Sequence, residues 1–198
     1  GDPLWEDKTN NGLQVKAPIS GNIHEINRGE KRALVSIVIN KSGDQLISFN
    51  ATGSIEQDIL NAGLWDSFRE RPFNRVPIVG TNPDFLFINA CKVDGLEANP
   101  SSIIEIEKDA FKQGLNFIEK MTNNHLYLCT NESLEIESEK TKEYLILENY
   151  PSGNSSIHIQ HLKPLTKNTN TWTINWQDVI RIGKALHHQK YCFESYVS

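Results

Sequence analysis

The apolar positions of the chain change their rhythm once, near residue 50. Before that point they fall in short β-branched segments (Val15, Ile23, Ile26, Val35, Ile37, Ile39), parted by turn signals at Pro18-Ile19-Ser20-Gly21 and Asn27-Arg28-Gly29-Glu30. Such spacing predicts a small antiparallel barrel or sandwich over residues 1–50. Beyond it the spacing becomes helical in places. Ser54-Ile55-Glu56-Gln57 reads as a capping box, Ile55, Ile59 and Leu60 share one side, and Gly63 supplies a stop, so a helix is expected over 55–62. A second short helix is expected over 64–70, closed by Pro72, which has no N–H for the helical ladder.

The rest of the pattern alternates. A strand is expected at 85–90, then a helix capped by Asn99 and Pro100 that carries Phe111, Leu115, Ile118 and Met121 on one core-facing stripe. Strands follow at 125–129 and 144–147, with the polar stretch 131–142 between them as a loop or weak helix. IHIQHL at 157–162 and TWTI at 171–174 read as two more strands. Asn175 caps a last helix whose Trp176, Val179, Ile180, Gly183 and Leu186 face one way. The whole reads as an α/β protein, with a β-rich, barrel-sandwich-like part at 1–50 and a Rossmann-like α/β domain with linker helices at 51–198.

Composition sets bounds on this picture. With 198 residues and 38% hydrophobic content the chain can bury a core as one large or two small domains. Its net charge of -5 argues against nucleic-acid binding, which draws affinity from clustered Lys and Arg. No apolar run approaches the roughly 18 residues a membrane span needs, and no basic stretch precedes an apolar core at the start. The opening GDPLWED has no Met and reads like the middle of a domain, so a fragment is expected. Cys91, Cys129 and Cys192 lie far apart, without the close pair a metal or iron-sulfur loop supplies, and read as reduced, mostly buried thiols of a cytoplasmic protein.

Few residues suggest chemistry. After the strand at 85–90 the chain offers one glycine, Gly95, and so no glycine-rich cradle for a dinucleotide phosphate. His158 and His161, three apart in an expected strand, would point to opposite faces and could not share a metal. His187 and His188 close the last helix, where a cation suits the dipole. Arg69, Arg71 and Arg75 with Glu70 make either a solvated helix end or a patch that docks a partner or an anion.

Three stretches carry a family resemblance: APISGNIHEINRGEKRALVSIVI at 17–39, GLWDSFRERPFNRVP at 63–77, and IHIQHL with TWTINWQDVIRIGKAL at 157–162 and 171–186. In order and spacing they resemble the A subunit of the bacterial Na+-translocating NADH:quinone reductases, over nearly the whole chain. The resemblance implies a fold similar to the C subunit of the Rnf complex and to the flavin-carrying subunit of complex I, both of which wrap FMN in a glycine-rich loop. The corresponding loop here holds Trp65, Phe68, Arg69, Arg71, Pro72 and Phe73, so the FMN site is expected to be plugged and no redox centre, metal or catalytic residue is assigned. The front end also resembles biotinyl and lipoyl carriers, but Lys31 lacks their Met-Lys-Met context.

The role implied is that of a peripheral subunit on the cytoplasmic face of the bacterial inner membrane. It would join other subunits, including one in the membrane, in a complex that passes electrons from NADH to ubiquinone and exports Na+. Trp65, Phe68, Arg69, Arg71 and Phe73 are then the candidates for contact with a partner or with ubiquinone. A second reading stays open: a flavin-dependent electron-input subunit like that of Rnf.

Overall fold

The computed structural model describes residues 1–45, 47–92, 97–147 and 149–197. Gly95, the glycine weighed above as a phosphate cradle, lies outside them. The chain opens with two antiparallel ribbons, β1 (Pro3–Glu6) with β2 (Gln14–Lys16), and β3 (Gly21–Arg28) with β4 (Leu34–Lys41). The expected turns join them: residues 17–20 link β2 to β3, and a short 3-10 turn at Glu30–Arg32 sits between β3 and β4. Cross-strand pairing gathers Ile23, Ile26, Val35, Ile37 and Ile39 on one side of the second ribbon, and Ile23, Ile26 and Val35 remain exposed.

After the ribbons comes α1 (Ile55–Asn61), whose cap forms as the pattern predicts, with the Ser54 side chain accepting from the Gln57 N–H. Gly63, at φ +70°, redirects the chain. The short helix expected over 64–70 does not form. A 3-10 turn at Trp65–Ser67 leads instead into β5 (Arg69–Arg71), which pairs antiparallel with β9 (Thr171–Asn175). Edge pairing with an existing strand outweighs the weak local helix propensity of seven residues.

β6 (Phe85–Ala90) follows, then α2 (Pro100–Ile106) and α3 (Lys108–Ile118), where one helix was expected; the break falls at Glu107. β7 (Leu126–Thr130) and β8 (Thr141–Leu145) run parallel to β6, β8 starting three residues before its expected place. The segment read as the strand IHIQHL is a helix, α4 (Ser155–Leu162). Its start is fixed by Asn154, which accepts from the Ser156 N–H at 2.9 Å; the alternation I-H-I-Q imitated a strand's period over too few residues to decide. β9 and α5 (Trp176–His188) complete the fold, with Asn175 capping the helix as expected.

The sheet runs β5-β9-β6-β7-β8, and β9, β6, β7 and β8 are all parallel. Alternation along β6 sends Leu86, Ile88 and Ala90 to the face covered by α3 and α5, in the main core with Trp172, Ile174 and Val179. Phe87 and Cys91 go to the other face, with Cys129 and Ile159 of α4. Two glycines bring α3 and α5 to backbone contact. A Cβ on Gly114 would fall on the Val179 carbonyl oxygen, and one on Gly183 on the Ala110 carbonyl oxygen. On the opposite face His158 of α4 is buried, its Nε2–H donating to the Ser152 carbonyl oxygen at 2.7 Å while Nδ1 has no partner.

Substituting Gly183→Ala or Gly114→Ala is expected to cost about 3 kcal/mol of unfolding free energy in urea melts, since the obstacle is a carbonyl and not a side chain that can turn away. His158 yields a pH signature. Burial holds its imidazole below the ordinary 6.5, so as pH falls through the unfolded value the unfolded chain binds a proton that the native chain refuses. Stability is therefore expected to drop between about pH 7.5 and about pH 5.5, and His158→Gln, which keeps a donor for Ser152, to flatten that interval.

Candidate functional site

The two faces of the sheet are dressed differently where β9 meets β5. Pairing Arg69 with Thr173 and Arg71 with Thr171 puts those four side chains on the face that α4 shares, together with Asn89 and Asn175 at the carboxyl ends of β6 and β9. α4 packs over β6, which leaves the β9–β5 side of that face uncovered by a helix and polar. Strand order also diverges here, because β6 leads outward to β7 whereas β9 lies on its other flank. Open α/β sheets place ligands in the crevice outside the carboxyl ends of strands at such a point.

A crevice of about 290 Å³ occupies the spot. Arg69, Arg71, Asn89, Asn154, Ser155 and Thr173 line it, along with Asp66, Ser67, Asn74, Ile174, Asn175 and Asp178. Arg71 donates to Ser156 Oγ at the start of α4 and to Asn74 Oδ1 at 3.2 Å. Arg69 donates to the backbone carbonyls of Asp66 and Phe68. Among the described residues neither guanidinium has a carboxylate partner, in contrast to Arg75, which pairs with Glu70 at 2.9 Å. Asp178 is taken up by Arg181 at 2.8 Å, and burial raises its carboxyl above the ordinary range against that pull.

The five residues singled out in the sequence separate into two groups. Trp65 and Phe68, each 0% exposed, lie in the core against Trp172, with ring centroids 5.6 and 5.7 Å from it. The Trp65 indole N–H donates to the Pro77 carbonyl at 2.9 Å, as a buried indole must find an acceptor. Arg69 and Arg71 are half-buried at the crevice, and Phe73, 77% exposed, projects from the loop after β5. Strand geometry brings the two arginines together, since residues two apart in a strand share a face whereas in a helix they do not.

Sequence reasoning missed Asn89, Asn154 and Thr173. The Asn-x-Ser start of α4 was the available signal, hidden by the reading of IHIQHL as a strand. His158 and His161 both sit on α4, the first buried and the second exposed. Cys91 and Cys129 are buried on the α4 face with Phe87 and Ile159, and burial pushes the Cys91 thiol up to about 12, which leaves it a packing group rather than a nucleophile. No described helix is long and apolar enough to cross a membrane.

Antiparallel ribbons joined to a helix-flanked parallel sheet, with bulky core aromatics in the loop before the switch point, define a two-part scaffold of barrel-sandwich and α/β modules. Two family models match along the chain: the NqrA N-terminal barrel-sandwich hybrid domain over residues 1–42 and the NqrA second alpha/beta domain over residues 51–191. Among the similar curated proteins is the A subunit of the Na(+)-translocating NADH-quinone reductase of Neisseria meningitidis serogroup B, 36% identical over 93% of this chain and 44% of the relative. The same subunit from Yersinia pseudotuberculosis is 33% identical over 100% of this chain and 47% of the relative. The chain belongs to the NqrA family. It spans less than half the length of these relatives.

Proposed function

We propose that this chain forms part of the A subunit of a Na+-translocating NADH:quinone reductase, as a peripheral scaffold that supplies contacts to neighbouring subunits and holds no redox centre. The observation that carries the reading is the match of both modules, in order, to relatives that bear that name. The electron path from NADH to ubiquinone and the export of Na+ then belong to the assembled complex, at the cytoplasmic face of the membrane. In the scaffold role Trp65 and Phe68 of the loop at 63–77 serve packing. Trp65 and Phe68, locked against Trp172, offer no bare backbone for a flavin phosphate, which supports a closed FMN site.

Contact with a neighbouring subunit or with the ubiquinone headgroup falls to the exposed part of that loop, Phe73 above all, with Arg71 at its base. An aromatic side chain so far out of the core suits the centre of an interface or a stacking contact with a flat ring.

Two measurements test this. In the purified complex, Phe73→Ala is expected to weaken retention of the A subunit or to raise the KM for quinone about tenfold, while the melting of the isolated chain moves by no more than about 0.5 kcal/mol. The absorbance spectrum of the isolated chain is expected to be free of flavin bands. Stoichiometric flavin would replace the scaffold reading by that of an electron-input subunit like the one of Rnf.

A further inference from the structure

Independently of the role in the complex, we propose that the crevice at the carboxyl ends of β6 and β9 binds the phosphoryl group of a small phosphate ester, held between Arg69 and Arg71. Three observations carry this. First, the two arginines stand on one face of β5, two residues apart with their Cα atoms about 7 Å from each other along the strand, and both line the same crevice. Second, their described hydrogen bonds go to neutral acceptors: Arg71 to Asn74 and Ser156, Arg69 to two backbone carbonyls. These bonds fix the forks in place without cancelling their charge, and leave each with further N–H groups to give. Third, the rest of the lining is polar, amides and hydroxyls together with the carboxylates of Asp66 and Asp178, with Ile174 its one aliphatic side chain and no aromatic.

That lining decides among ligands. A neutral quinone ring needs apolar walls, which this crevice does not have. A carboxylate presents two oxygens in a plane and is satisfied by one guanidinium fork; a phosphoryl group presents three oxygens around a tetrahedral centre and uses donors from several sides. Here Arg69 and Arg71 approach from β5, and Asn154 and Ser155 from the start of α4. The charge balance agrees. Asp66 is the one lining carboxylate without an ion-pair partner among the described residues, since Asp178 is held by Arg181, so two cations face one free anion. The guanidinium pair, not the helix end, is what the inference rests on.

The test titrates the isolated chain with inorganic phosphate and with glycerol 3-phosphate, succinate serving as the carboxylate control, and follows heat and the Nε–H resonances of the arginines. Both phosphates are expected to bind and to shift the Arg69 and Arg71 signals in the unaltered protein, a readout that needs no variant to fold. Arg69→Ala and Arg71→Ala are each expected to weaken binding about tenfold or more, with Arg71→Lys retaining part of it. Arg75→Ala, whose guanidinium is tied to Glu70, is expected to leave affinity unchanged. Failure of both phosphates to bind, resonance shifts confined to other arginines, equal loss in Arg75→Ala, or tighter binding of succinate than of phosphate would each overturn the assignment.

Discussion

The contact on which the α/β part depends is the one between α3 and α5, where Gly114 and Gly183 let two helix backbones meet with no side chain between them. Close approach is what allows both helices to lie over the same face of a sheet whose parallel portion is four strands wide. It also sets the depth at which Trp172, Ile174 and Val179 interlock, so that the strand carrying Thr171, Thr173 and Asn175 is held from beneath. The polar face of that strand can then dispense with a helix of its own, because its position is already determined by the apolar one.

From this division follows the character of the crevice. Face one of β9 is core, face two carries Thr and Asn beside the arginines of β5, and the strand's edge is extended by only three residues of β5. α4 completes the arrangement by covering β6 and stopping there, its first turn meeting Arg71 through Ser156. Trp65 and Phe68, just ahead of it in the chain, anchor β5 to the core from below, so the loop works as a foundation for two arginines.

Much of this was legible in the sequence wherever a cap and a long apolar stripe coincided. Asn175 with Trp176, Val179, Ile180 and Leu186 located α5, and Ser54 with Ile59 and Leu60 located α1, because periodicity over several turns and a local side-chain bond point the same way. Residues 157–162 were misread since six residues satisfy both a period of two and a single helical turn and a half, and the deciding bond, Asn154 to Ser156, lies outside them. Residues 69–71 were misread for a different reason. Their strand exists only through pairing with Thr171–Thr173, a hundred residues away, which no local pattern encodes. The candidate site inherited both errors: its arginines were named, but their convergence and the amides opposite them required β5 and α4 to be known.

One side chain ties the front ribbons to all of this. Asn10, nearly buried in the turn between β1 and β2, spends its amide N–H on the Pro77 carbonyl at 2.9 Å and its amide oxygen on the Val79 N–H at 2.8 Å, while the Trp65 indole takes the same carbonyl. A single amide thus rivets the first ribbon to the loop that bears Phe73, with the rivet seated on the core through tryptophan. The leading module is in this way moored to the same segment whose Asn74 forms the rim of the arginine crevice.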